Sequence, residues 1–88
     1  MQFLHKREYL NRGDIVLVNY SHRCNIRLMS DMDFQSFRNG RSHHYYGGHY
    51  DRLPASISVP EDGWWNVTLD LGDGRASIRH SIQFLKAA

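Results

Sequence analysis

Apolar and polar side chains alternate with a period of two through most of the second half of the chain, the spacing of strands that bury one face. Leu53, Ala55, Ile57 and Val59 fall on one face, with Pro54, Ser56 and Ser58 on the other. Trp65, Val67, Leu69 and Leu71 alternate in the same way with Trp64, Asn66, Thr68 and Asp70. The last run places Ala76, Ile78, His80, Ile82 and Phe84 inward and Arg75, Ser77, Arg79, Ser81 and Gln83 outward. Pro54 cannot donate a ladder hydrogen bond, which predicts an edge strand or a strand start. Pro60-Glu61-Asp62-Gly63 predicts a tight turn and Gly72-Asp73-Gly74 a hairpin turn.

The first half carries two more strand patterns and one change of period. Asp14 to Tyr20 is apolar and β-branched on both faces, which predicts a strand buried on both sides. Asn25 to Met29 alternates and is expected beside it, with Ser21 to Cys24 as the connecting turn. Ser30 to Arg38 then shows a capping Ser, acidic residues in the first turn, and Phe34 and Phe37 three apart. With Asn39-Gly40 as a stop signal, this predicts a helix of about two turns docking its Phe pair on the sheet. The reading is an all-β, mainly antiparallel domain over residues 1–88. Its form is a small β-sandwich or partly open barrel with one short helix near residues 31–38.

Composition sets limits on function. An 88-residue chain has a thin core and little room for a large enclosed substrate cavity. The formal charge is only +2, yet Arg supplies all the basic residues except Lys6 and Lys86. Guanidinium groups favour planar contact with carboxylate or phosphate, although solvated surface Arg is the better explanation of the bias. One cysteine, Cys24, excludes an internal disulfide and a paired-cysteine zinc site. The N-terminal residues lack the apolar run of a signal peptide, and no segment is long enough to span a bilayer as a helix. A cytoplasmic location is therefore expected, with neither membrane nor nucleic acid as partner.

Candidate chemistry concentrates between Arg41 and Tyr50. This stretch holds His43, His44 and His49, three of the six His, and Tyr45, Tyr46 and Tyr50, three of the five Tyr, around Gly47-Gly48. No core strand or helix needs that mixture. Imidazole can shuttle protons or ligate metal, phenol can stack, and a Gly pair lets backbone approach a ligand. In a regular strand His43 and His44 point to opposite faces, as do His44 and His49, which argues against a ready-made metal site. Arg38 and Arg41 bring charge to the same stretch. Of the Trp64-Trp65 pair, Trp65 belongs in the core and Trp64 on the surface, where it is an outlying stacking platform. His80, placed inward between Ile78 and Ile82, reads as a neutral buried His with backbone or Tyr partners. Asp31 and Asp33 are explained by the helix start, and no carboxylate is tied by a motif to a His.

The run Ile26-Arg27-Leu28-Met29, then Asp31, Phe34, Phe37, Arg38-Asn39-Gly40-Arg41, His43 and Tyr45-Tyr46-Gly47-Gly48-His49, resembles a bacterial family of unknown function. So do Val59-Pro60, Gly63, Trp65, Val67 and Asp70-Leu71-Gly72. The family comprises short stand-alone proteins and members fused ahead of TIR domains. The resemblance implies a β-sandwich-like domain of bacterial origin, and the fusions imply a sensing or interaction role by analogy. It carries over no catalytic residue.

The expected function is a non-catalytic binding or recognition module for a small polar or anionic ligand or a partner protein, with no cofactor and no metal. Its candidate site comprises Arg38, Arg41, His43, Tyr45, Tyr46, Gly47, Gly48, His49, Tyr50 and Trp64. One alternative is a small hydrolase acting on a nucleotide or phosphodiester through the His, Arg and Tyr cluster. The other is an oligomeric structural or interaction protein.

Overall fold

The computed structural model describes residues 3–20, 24–50, 54–70 and 80–87. Its elements are β1 (Phe3–Leu10), β2 (Ile15–Tyr20), β3 (Cys24–Ser30), α1 (Asp31–Arg38), β4 (Tyr46–Tyr50), β5 (Ala55–Ser58), β6 (Gly63–Asp70) and β7 (His80–Leu85). Two antiparallel sheets, ordered β1-β6-β3-β4 and β5-β2-β7, pack their inner faces together. This is the sandwich form of the expected all-β fold, with its single short helix over residues 31–38.

The core follows the alternation. Ile26, Leu28, Trp65, Val67 and Leu69 of the larger sheet meet Val16, Val18, Tyr20, Ala55 and Ile57 of the smaller one. Trp65 donates its indole N–H to the Glu61 carbonyl at 3.0 Å, so the turn before β6 satisfies the one polar atom of its ring. β5 follows Pro54 and lies at a sheet edge, as Pro requires.

A second apolar cluster lies on the outer face of the larger sheet. Phe34 and Phe37 of α1 cover Met29 and Phe3 there, with Phe3 edge-on to both helix rings at 6.1 and 5.1 Å. Both ends of α1 are closed by local hydrogen bonds. Ser30 Oγ accepts from the Asp33 N–H at 3.2 Å, and Gly40, at φ 71°, ends the helix. The Gly40 N–H bonds to Phe37 O and the Arg41 N–H to Ser36 O, the paired bonds of a Schellman motif. The chain leaves the helix directed along the outer face, toward β4.

Asp14 ties the tail of the described chain to the sandwich. Its buried carboxylate accepts from the Ala87 and Asn11 backbone N–H groups, each at 2.8 Å, with Lys86 Nζ at 3.5 Å. Those bonds, led by the one from Ala87, hold Asp14 below the ordinary carboxylate range.

Several expectations are corrected. β2 and β3 are not neighbours: they lie in different sheets, because alternation defines which face is buried but not which strand sits alongside. β2 is buried on one face only, with Ile15 and Leu17 half-exposed and Asn19 exposed on the other. β6 and β7 also lie in different sheets, and the hairpin turn expected at Gly72-Asp73-Gly74 falls outside the described residues. The inward positions Leu53, Leu71, Ala76 and Ile78 fall outside them as well. His80 is exposed rather than buried. It stands at the rim of a cleft of about 230 Å³ that it shares with Leu4, His5, Lys6, Ser81 and Ile82, where the edge strands β1 and β7 diverge.

Candidate functional site

The outer face of the larger sheet is a grid of side chains in register. One row crosses all four strands as His5, Thr68, Arg27 and Gly47. A second contains Arg7, Asn66 and Met29, and a third contains Phe3, Asp70, Asn25 and His49. Because α1 lies on this face, its polar residues are covered: Asn66 and Thr68 are buried as fully as the apolar residues of the same strand.

Polar satisfaction differs sharply across the grid. On the β1 side, Asn66 is fully engaged. Its amide donates to Met29 O at 3.3 Å and to Asp31 Oδ1 at 2.8 Å, and its Oδ1 accepts from His5 Nε2 at 2.8 Å. The His5 ring stacks on Phe34 at 4.1 Å. Asp31 takes a two-pronged contact from Arg7, Nε at 3.0 Å and Nη2 at 2.7 Å. Those bonds from Arg7, and then the one from Asn66, lower the Asp31 carboxyl to about 2. Asp31 is thus more than a helix-start residue, because it joins α1 to β1 and β6. Arg7 also lies over the Trp64 ring at 4.1 Å, and Tyr9 meets that ring edge-on at 5.5 Å.

On the β4 side several polar side-chain atoms are buried without hydrogen-bond partners. Arg27 Nε and Nη1, Thr68 Oγ1 and His43 Nε2 are enclosed and form no hydrogen bond among the described residues. Arg27 Nη1 forms an ion pair with Asp70 Oδ2 across 3.6 Å, longer than a hydrogen bond. The guanidinium lies over Phe37 at 5.5 Å and over Tyr45 at 5.2 Å. His43 meets the same two rings, at 5.2 Å from Phe37 and 5.6 Å from Tyr45. Arg27, Phe37, His43 and Tyr45 therefore form a four-sided cluster with Thr68 beside Arg27 on the sheet. An unsatisfied buried polar atom costs about 1–3 kcal/mol, and a charged one more, so this arrangement is built at the expense of stability.

The sequence-derived residues divide around this cluster. His43 and Tyr45 belong to it. Residues 41–45 form irregular backbone rather than strand, so strand parity does not govern His43 and His44. The His44 N–H bonds Asp33 Oδ1 at 3.1 Å, while its side chain is exposed. Arg38 lies over Phe34 at 5.7 Å on the exposed side of α1, and Arg41 contributes backbone to the helix stop. Tyr46 and Tyr50 turn the other way: Tyr46 meets Trp65 at 5.9 Å, and Tyr50 packs against the inner core. His49 is exposed on the outer face, in the row with Asn25 and Asp70. Trp64 is half-exposed at the β1 side, in the separate group with Arg7 and Tyr9.

The Gly pair has a backbone explanation. Gly47 has φ 118°, and a Cβ there would run into the Ile26 carbonyl oxygen, so β4 can pair with β3 only with Gly at this position. Gly48, at φ 147°, faces open space. Among the described residues, no three His, Cys, Asp or Glu side chains come together as a metal-binding group. No described helix is long and apolar enough to cross a membrane.

Arg27 and Thr68 were not singled out from the sequence. Their one available signal is that each occupies the outer parity of an otherwise apolar strand that also has to carry a helix.

Residues 1–88 match the family described as a domain of unknown function, DUF1883. The chain belongs to this family. The match spans both strings of residues on which the resemblance was noted, so the Arg-Asn-Gly-Arg helix stop and the Tyr-Tyr-Gly-Gly-His strand lie within one DUF1883 domain. No curated protein and no solved structure matches the chain.

Proposed function

We propose that this DUF1883 domain is a non-catalytic recognition module that takes a small polar or anionic group at Arg27, Thr68 and His43, beneath Tyr45. The observation that carries this reading is the set of four enclosed polar atoms that lack hydrogen-bond partners among the described residues, on a sheet face where the neighbouring Asn66 side chain is fully hydrogen-bonded. A ligand that satisfies them recovers the cost of burying them. Arg27 supplies charge and a planar fork, and Tyr45 and Phe37 supply stacking faces.

Binding is favoured over catalysis by the partner of His43. Its Nδ1 lies 3.0 Å from the Arg41 carbonyl rather than from a carboxylate, so it lacks the group that orients and charges a general base. A recognition role also suits the bacterial, TIR-linked setting that the family resemblance implies, with a cytoplasmic location.

The test is a thermal-shift screen of small carboxylates, phosphates, nucleosides and sugars, run on the wild type and on Arg27→Met, which keeps an apolar stem between the two rings. A ligand of this site raises Tm in the wild type and leaves Arg27→Met unmoved. Equal shifts in both proteins place binding elsewhere and refute the assignment.

A further inference from the structure

Resting on that reading, we infer that the group this site takes is a planar amide-type edge, a carbonyl oxygen beside an N–H, on a flat ring. A lactam such as uracil or a primary aromatic amide such as benzamide carries this edge; a phosphate does not.

The first reason is the His43 tautomer. A carbonyl oxygen only accepts, so the 3.0 Å contact with Arg41 O fixes the proton on Nδ1. Nε2 of the neutral ring is then an acceptor, and it is one of the enclosed atoms without a partner. Arg27 Nε and Nη1 can only donate, and Thr68 Oγ1 can donate or accept. The cluster therefore asks for an acceptor and a donor together. A carboxylate or a phosphate ester dianion offers acceptors alone and sets its oxygens against the Nε2 lone pair, and inorganic phosphate carries its one O–H on a tetrahedral centre rather than in a planar edge.

Charge points the same way. The Asp70 carboxylate stands 3.6 Å from Arg27 Nη1, so an incoming anion meets repulsion along with the guanidinium, whereas a neutral amide does not. Shape gives the third reason. The walls are the rings of Phe37, His43 and Tyr45, which suit a flat ligand better than a tetrahedral one.

Entry requires Tyr45 to move. The four atoms are enclosed, and the wall that can yield is Tyr45, which is 45% exposed and sits at the end of the irregular 41–45 segment. Turning this ring outward opens the polar cluster without disturbing either sheet.

The experiment titrates the protein at pH 8 with uracil, benzamide, acetate and inorganic phosphate, reading Tm and backbone amide shifts. Uracil or benzamide is expected to raise Tm and shift His43 and Tyr45, with acetate and phosphate inert. His43→Phe, which keeps the ring contacts and removes the acceptor, should weaken binding by about tenfold or more, the loss of one hydrogen bond. If His43→Phe does not fold, Thr68→Val serves instead, since it removes a hydroxyl from the strand and leaves the 41–45 segment intact. Phosphate or acetate binding through Arg27 with both amides inert overturns this inference and leaves the recognition module standing. Failure of all four probes also overturns it, and the broader panel on Arg27→Met then decides the recognition reading separately.

Discussion

Arg27 and Thr68 face each other across β3 and β6 on the helix-covered side of the sheet, and neither side chain completes its hydrogen bonding there. Two residues further along the same strands, and next on the same face, Met29 and Asn66 are joined by the Asn66 amide donating to the Met29 carbonyl. The contrast between these adjacent pairs underlies the functional reading, and each pair predicts its own mutational behaviour.

Thr68→Val replaces a buried, unpaired hydroxyl with a methyl of similar shape. The expected result is no loss of stability, or a gain of up to about 1 kcal/mol, because no hydrogen bond is broken and a desolvation cost is removed. Urea denaturation measures this. A loss above about 1 kcal/mol would mean that the hydroxyl is already bonded.

Asn66→Leu should behave in the opposite way. It removes two donated bonds and one accepted bond at a residue 1% exposed. A loss of about 2–4 kcal/mol is expected. Arg7→Ala, which breaks an ion pair whose side chains are each nearly half-exposed, should cost distinctly less than Asn66→Leu. If the two variants are equally destabilised, the Asn66 network does not bind α1 to the sheet.

Much of this architecture is legible from the chain, and the illegible part has physical causes. β5 and α1 announce themselves because each buries one face under a single kind of neighbour, so period and caps coincide with structure, and β6 because its inner face keeps the alternation although α1 covers the outer one. β1 was missed. Its His5, Lys6, Arg7 and Glu8 look like a solvated segment, yet His5 and Arg7 are held by Asn66 and Asp31, far along the chain. The partnership of β2 with β5 and β7 is likewise invisible, since any strand with the right face could occupy that place. Within the candidate site, His43 and Tyr45 stood out by composition. Arg27 and Thr68 did not, because only the packing of α1 turns an outward position on a strand into an enclosed one.

Glycine substitution separates scaffold from site within the Tyr-Tyr-Gly-Gly-His string. Gly48→Ala strains an uncommon backbone conformation and should cost about 1–3 kcal/mol. Gly47→Ala adds to a similar strain a collision with the Ile26 backbone and should cost distinctly more. Thermal unfolding of both variants tests the order. Reversal would show that β4 does not pair with β3 as described.

Acid should loosen the fold through Asp14 and Asp31, whose carboxyls titrate lower when folded than the ordinary 3.8. A depressed folded pKa gives stability that is present above the unfolded value and lost as pH falls through the folded one. For Asp31 that window runs from 3.8 down to about 2, and for Asp14 it lies below 3.8. Asp14→Asn should therefore be less stable than wild type at neutral pH and lose less on acidification. Parallel pH profiles for the two proteins would contradict the role of Asp14 as the anchor of Ala87.

The central claim is that Arg27 lies at a ligand site, and side-chain NMR of its Nε–H group tests this most directly. With a compound from the screen that raises Tm, the account predicts a shift of the Arg27 Nε–H signal together with the His43 and Tyr45 amides. The account is contradicted if that signal stays fixed while the perturbed residues are Trp64, Tyr9 and Arg7 at the far side of the sheet.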